Sequence, residues 1–383
     1  MDFKLTEEQL ITQNTVRKLV QKELEPVAAI NDREEIFPAE FFTKLAELGM
    51  MGMTIPSLYG GSNAGAVALS LVLQEIAYAC PATALAVSVN HLVASVLLIY
   101  GTESQKKKFL FPVASGRCLA AIAFTEAIGG SNPKALISTS VKRNDGYLLK
   151  GVKQFITSGS RAGVILTFAR FRSVNSSEDL GLNAFVLEKD TPGFRVGTLE
   201  EKMGIRAVDV AELIFEDCPL SAEHLLGKEG EGEKVFDQAL NSGRIGVASQ
   251  AIGIGQACLD EAVAFAKKRV QNNRSILHYQ NIRMMIAEMA TELEAARYLT
   301  LVACQKMDDG QYFTKEASMA KYYASEMANR LAYKSLQIHG AHGYSKDFKI
   351  ERLYRDSRAT TIYEGTSEVQ KLIIAREIIR SKS

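Results

Sequence analysis

Over the first third of the chain, apolar residues recur at helical spacing. Val16, Leu19 and Val20 fall at i, i+3 and i+4 behind Thr6 to Gln9, whose spacing fits a capping box, so a first helix is predicted there. Pro38 stands where a second helix can begin, Phe41, Phe42, Leu45 and Leu48 form one face of it, and Gly49 can end it. Ala66 to Tyr78 and Ala82 to Leu98 are rich in Ala, Leu and Val, as buried helices are, and Thr102 to Gln105 caps a further helix that ends near Gly116. From about Arg117 the pattern changes to short apolar runs separated by turn clusters. Ser140 to Thr157, around Asn144-Asp145-Gly146, reads as a hairpin, and Val164 to Phe168, Asn183 to Leu187 and Ala211 to Phe215 read as further strands. The polar run from Asn175 to Asp179 reads as a loop tip. After Gly232 the helical period returns through Val235 to Gln271, Ile282 to Met307 and Thr314 to Ile338, with a last helix from about Thr366. Long, loosely capped helices suggest a bundle. The expected organisation is mixed α and β: a helical domain at 1–116, a β domain at 117–228 and a helical bundle at 229–383.

Charge and composition narrow the classes of function. Lys and Arg number 45 against 44 Asp and Glu, so the summed charge does not attract nucleic acid or an acidic membrane surface. Hydrophobic content is 47%, ordinary for a globular chain, and no apolar run long enough to cross a bilayer is expected. The first five residues lack the basic-then-apolar order of a secretory signal, which leads to a cytoplasmic expectation. Five cysteines, at 80, 118, 218, 258 and 304, are an odd number with no C-x-x-C pair, so no disulfide framework or zinc site is expected. His339 and His342 have no acidic or cysteine companion at a metal-binding spacing.

Gly253-Ile254-Gly255 lies inside a helical pattern and follows no strand, so it reads as small-residue packing and not as a dinucleotide fingerprint. No phosphate-binding loop is present, and Ser242-Gly243-Arg244 lacks the setting of a nucleophile elbow. The informative segment runs from Asp356 to Gln370 and holds Tyr363-Glu364-Gly365-Thr366-Ser367. It sets a carboxylate just ahead of a helix start. Gly365 allows a tight turn or a close approach to a flat ligand, and Thr366 or Ser367 can cap the helix and leave amide donors facing an anion. Taken alone, Glu364 could equally be a turn carboxylate stabilised by the helix dipole.

Four segments together resemble the acyl-CoA dehydrogenase family, in order and spacing across essentially the whole chain. Tyr363 to Ser367 is similar to its catalytic-base signature; Ala123 to Asn132 resembles the flavin loop that opens its β domain. Gln154 to Gly159 resembles the partner strand, and Gln337 to Tyr344 the glycine-rich segment that meets the FAD pyrophosphate and adenine. The resemblance implies the family's fold: helical domain, middle β-barrel-like domain and C-terminal four-helix bundle. It also implies a homotetramer and electron transfer to an electron-transfer flavoprotein.

The resemblance casts Glu364 as the base that takes the α proton of an acyl-CoA thioester while the β hydrogen leaves as hydride to FAD. Carbonyl polarisation falls to the Glu364 backbone N–H and a ribityl hydroxyl of FAD. Cofactor contacts are implied for Ile122, Phe124, Thr125, Gly130, Ser131, Phe155, Ile156, Thr157, Arg269, Gln280, Gln337, Ile338, Gly340, Thr366, Ser367 and Glu368. Substrate contacts are implied for Ser131, Asn241, Arg244, Tyr363 and Gly365. Some relatives carry the base immediately before the counterpart of Arg244, a place held here by Gly243, which points to short- or medium-chain enzymes and to Glu364 as the sole base. Departures from the family pattern are Ala127 for proline, Asn132 and Asn241 for aspartate, Phe155 for tryptophan, and Asn272-Asn273 for Phe-Gly. An oxidase or monooxygenase of the same fold, or a non-catalytic flavin or acyl-carrier binding protein, is the alternative reading.

Overall fold

In the computed structural model, which describes residues 4–173 and 179–380, the order is helical, β, helical. The N-terminal helices are α1 (Glu7–Leu19), α2 (Ala28–Glu34), α3 (Ala39–Glu47), α4 (Gly65–Ala79), α5 (Pro81–Tyr100), α6 (Glu103–Gln105) and α7 (Phe111–Ala114). Wider π turns, Val20–Leu24 and Lys106–Leu110, continue α1 and join α6 to α7. Both predicted capping boxes are formed: Gln9 N donates to Thr6 Oγ1 at 3.2 Å, and Gln105 N to Thr102 Oγ1 at 3.2 Å, each answered by the glutamine side chain. α2 has no counterpart in the sequence reading, because Ala28-Ala29-Ile30-Asn31-Asp32-Arg33-Glu34 carries too short an apolar stripe to stand out.

One expectation is corrected here. α5 is long and apolar enough to cross a membrane by length and composition, although 89% of that window is buried inside the fold. Its Ala-, Val- and Leu-rich sequence serves as a core helix, buried from Pro81 to Leu97 and exposed only at its last turn.

Eight strands make one sheet: β1 (Ala120–Ala123), β2 (Thr139–Arg143), β3 (Gly146–Thr157), β4 (Val164–Arg172), β5 (Asp179–Glu188), β6 (Phe194–Leu199), β7 (Val210–Ser221) and β8 (Leu225–Leu226). Their order is β6-β7-β3-β2-β4-β5-β8, with β1 also on β4. Ile165, Ala169, Phe185 and Leu187 from one wing meet Leu149, Ile156, Leu213 and Phe215 from the other in a shared core, so the sheet folds over on itself like a barrel. The other faces of β4 and β5 pack on α5 and α7. This is why β4 reads as a continuous apolar run and not as an alternating one. β1 and β2 share one edge of β4, the first pairing with Val164 to Thr167 and the second with Arg170 to Arg172. The chain leaves the sheet between them, and that excursion carries the 124–131 loop. Residues 175–178 of the predicted loop tip lie outside the described residues, while Asp179 opens β5 and pairs with Arg170.

The C-terminal helices are α8 (Gly232–Lys268), α9 (Gln280–Asp308), α10 (Thr314–His339), α11 (Lys349–Ala359) and α12 (Ser367–Arg380). α8 ends three residues before the predicted Gln271. Val270–Gln271 (β9) instead pairs with Arg274–Ser275 (β10), and Asn272 and Asn273, at φ 51° and 62°, form the tight turn between them. α8, α9, α10 and α11 share one core with Ala66, Val67 and Leu71 of α4.

Small residues on α8 set how closely its neighbours approach. A Cβ on Gly253 would stand 2.3 Å from the Gln74 carbonyl oxygen of α4, one on Gly246 1.8 Å from Ser88 Oγ of α5, and one on Gly255 2.8 Å from Met327 Sδ of α10. The expected small-residue packing at Gly253 and Gly255 is therefore present. Gly253→Ala forces backbone apart and should destabilise by about 1–3 kcal/mol. The check is a lowered midpoint in denaturant with an unchanged slope; an unchanged midpoint would count against this packing account.

Candidate active site

Three stretches of chain meet around one cleft of about 320 Å³. Ile122, Phe124, Thr125, Gly130 and Ser131 come from β1 and the loop behind it, and Phe155, Ile156 and Thr157 from the end of β3. Tyr363, Glu364, Gly365 and Thr366 come from the connection between α11 and α12. Leu85 and Val89 of α5 and Phe236 and Leu240 of α8 add an apolar wall. Twelve of the residues singled out in the sequence thus line one space, from positions up to 244 residues apart (122 to 366).

Local geometry explains each wall. At Phe155 the pairing of β3 with β7 slips between Lys153 and Ile156, and Phe155 takes φ 59°, a conformation seldom held by a bulky residue. The bulge turns the ring outward, 61% exposed, at the rim of the cleft. Gln154 N donates to Thr125 O at 2.8 Å and ties the strand to the 124–131 loop. Within that loop Gly130 lies so close over Thr125 that a Cβ would meet its Oγ1 at 2.5 Å. Beneath it Lys153, fully buried, bonds Glu126 at 2.6 Å, and Glu126 also accepts from the backbone of Ile137 and Ser138. The Glu126 carboxyl is held below its usual range: burial pushes it up, but the Lys153 charge and these donors outweigh that. Phe124 stacks on Phe236 with centroids 3.6 Å apart.

Glu364 sits at φ 54° and Gly365 at φ 86°, so the chain turns sharply there. The turn is clamped from inside: Gln370 Nε2 donates to the carbonyls of Glu364 and Gly365, both at 3.0 Å, and Lys321 Nζ donates to Gly365 O at 2.7 Å. Tyr363 OH donates to Gln250 Oε1 at 2.6 Å. Thr366 caps α12 by accepting from Val369 N at 3.3 Å, as the sequence suggested. With its carbonyl occupied, the Glu364 backbone N–H has no acceptor among the described residues.

The Glu364 carboxylate is unusual in its surroundings. Oε2 is buried without a hydrogen-bond partner among the described residues. Burial pushes the carboxyl up to about 7, although the positive charges of Arg244 and Lys321 act against the rise. The carboxylate occupies the space above Gly243, where a Cβ would stand 2.5 Å from Oε2. Position 243 and position 364 therefore address the same point in space.

The remaining predicted residues lie elsewhere. Asn241 and Arg244 are buried and do not line the cleft: Arg244 Nη1 donates to Asn241 Oδ1 at 2.6 Å, and Asn241 Nδ2 to Thr314 Oγ1 at 2.9 Å. Ser367 is also buried, its hydroxyl on Glu326 at 2.6 Å, and Glu368 is exposed on the first turn of α12. Arg269 and Gln280 flank the β9–β10 hairpin on the surface. Gln337, Ile338 and Gly340 end α10, where His339 stacks on Phe265 at 4.3 Å as a packing residue. None of these five lines the cleft. Sequence reasoning passed over Lys321, Gln250 and the Glu126–Lys153 pair. The available signal was a charge inside an apolar pattern: Lys321 stands between Ala317 and Ala324 on the buried face of α10.

Comparisons with known proteins cover nearly the whole chain. Family models match in chain order: acyl-CoA dehydrogenase N-terminal domain at residues 6–117, middle domain at 121–218 and C-terminal domain at 230–379. Acryloyl-CoA reductase (NADH) of Anaerotignum propionicum is 43% identical over 382 residues, 99% of this chain and 96% of that one. Butyryl-CoA dehydrogenase from Megasphaera elsdenii superposes with a TM-score of 0.95 at 37% identity, covering 99% of this chain and 100% of the other. A chain solved in work on the electron transferring flavoprotein of Acidaminococcus fermentans and flavin-based electron bifurcation gives 0.96 at 39% identity, again over 99% and 100%. The fold, the cleft and these likenesses together make the protein a member of the acyl-CoA dehydrogenase family of flavoprotein oxidoreductases.

Proposed function

We propose that this enzyme removes the α and β hydrogens of a short-chain acyl-CoA to give the 2-enoyl-CoA, with Glu364 as base, FAD as hydride acceptor and an electron-transfer flavoprotein as electron partner. The observation that carries the reading is the Glu364 carboxylate: part of the cleft wall, with Oε2 buried and unpartnered among the described residues. A carboxylate without donors keeps its basicity, and a base beside the α carbon needs that basicity because the C–H is a weak acid. The free Glu364 N–H supplies a fixed donor for the thioester carbonyl, where charge develops as the proton leaves. The short-chain preference is supported by the likeness to butyryl-CoA dehydrogenase and acryloyl-CoA reductase.

The cleft fits a flavin ring on the chemistry of its walls. Phe155 offers an exposed aromatic face, Thr125, Ser131 and Thr157 offer hydroxyls, and Ile122, Phe124 and Ile156 exclude water. When bound, FAD supplies the acceptor for the β hydrogen. Arg269, Gln280, Gln337, Ile338 and Gly340 lie outside the cleft, so their predicted cofactor role needs a second copy of the chain, in keeping with a homotetramer. Gly340, with open space where a Cβ would point, suits a close approach by a ligand. Asn241 ties α8 to the start of α10 through Thr314, and Arg244, bonded to Asn241, brings its charge to bear on Glu364.

Two of the relatives are named as reductases. A carboxyl poised near 7 also suits the reverse reaction, giving the proton back to the α carbon.

The test is anaerobic bleaching of the purified flavoprotein by a panel of saturated acyl-CoA thioesters. Short-chain thioesters should bleach the wild type, and Glu364→Gln should bind FAD but react at least a thousandfold more slowly. Equal bleaching by both would remove Glu364 from the role of base. The bleaching rate should also fall as pH drops below about 7, because a protonated Glu364 cannot accept the α proton. A rate independent of pH between about 5 and 8 would contradict that assignment.

A further inference from the structure

Lys321 is wholly buried on α10, among Ala317, Ala320 and Ala324, and no carboxylate bonds its ammonium among the described residues. Among the described residues its one hydrogen bond goes to Gly365 O, at 2.7 Å. That carbonyl already accepts from Gln370 at 3.0 Å, so hydrogen-bond satisfaction alone does not call for a second donor. Burying an ammonium costs far more than one extra bond returns. The charges that reach Lys321 are Glu364 on the turn, Glu326 on its own helix, Glu368 on α12 and Arg244 on α8, with Glu364 the strongest of them. Lys321 in turn is, with Arg244, one of the two cations acting on the Glu364 carboxylate.

We propose that Lys321 is the positioning residue of Glu364, holding the 363–366 turn through the Gly365 carbonyl and favouring the ionised carboxylate through its buried charge. The role divides between backbone and field. The backbone bond fixes a left-handed Glu364, which aims the side chain over Gly243 and leaves its N–H unpaired. The charge offsets part of the burial that otherwise keeps the carboxyl protonated. Burial also draws the Lys321 ammonium down to about 8, so it stays mainly charged at neutral pH. The catalytic meaning of this arrangement rests on Glu364 being the base; the physical coupling does not.

The experiment therefore reads the carboxyl directly. In FAD-loaded protein without substrate, infrared difference spectra against Glu364→Gln follow the ionisation of Glu364 with pH. Lys321→Gln, which keeps a donor but no charge, and Lys321→Met, which keeps neither, should raise the midpoint by about one to two pH units. Lys321→Arg should stay near the wild-type midpoint. In acyl-CoA turnover the acid limb of the rate should move by the same amount, with kcat lowered more than KM is raised. A folded, FAD-loaded Lys321→Gln or Lys321→Met with the wild-type midpoint would overturn the proposal; if Met does not fold, Gln decides. Should Glu364→Gln bleach as fast as wild type, the base assignment fails while the infrared result still stands.

Discussion

The arrangement depends on taking one carboxylate oxygen out of water without giving it a partner. A buried Glu normally finds a cation in contact or several donors, because its charge is otherwise too poorly solvated to persist. Glu126, on the 124–131 loop, shows that ordinary solution, with Lys153 at 2.6 Å and backbone donors on both oxygens. Glu364 does not follow it: Oε2 is bare, and the nearby cations act at a distance. The same chain thus holds two buried carboxyls with opposite shifts, one structural and ionised, the other poised near neutrality.

Keeping Glu364 in that state shapes its neighbourhood. The turn that carries it is in a left-handed conformation that a glutamate adopts only under constraint, and Gln370 and Lys321 provide the constraint from beneath. Gly243 gives up a side chain so that the carboxylate has room. Other glycines of α8 bring α4, α5 and α10 close enough to wall off solvent. The split edge of β4 releases the 124–131 loop toward the same point, and the bulge at Phe155 sets an exposed ring across from it.

Much of this was legible in the sequence, and the reasons differ by element. Long helices announce themselves by period, and the two Thr-x-x-Gln boxes marked their starts within a residue. The base segment was legible as a motif, and the resemblance marked Gly243 as an alternative place for the base, but that positions 243 and 364 meet at one point only the geometry displays. α11 escaped because Ile350 and Leu353 are its only buried apolar residues, too few for a stripe. The end of α8 was overrun because Val270, four residues after Ala266, continues the apolar period that the Asn272-Asn273 turn interrupts only in three dimensions. On β3, Lys153 is buried and Val152 exposed, the reverse of what polarity suggests, because Glu126 waits at the inner face. The burial of Asn241 and Arg244, and the clamp by Lys321, depend on contacts between elements 70 or more residues apart for Asn241–Thr314 (73) and 44 for Lys321–Gly365, which no local pattern encodes.

The central claim is that reactivity belongs to a carboxylate at one point in space, reached from residue 364 across residue 243. Moving the carboxylate tests it most directly: measure anaerobic flavin reduction by a short-chain acyl-CoA in Glu364→Gly and in the double variant Gly243→Glu with Glu364→Gly. The account predicts that the single variant loses bleaching and the double variant recovers a measurable part of it. Full bleaching by the single variant, with FAD bound and the fold intact, would contradict the account.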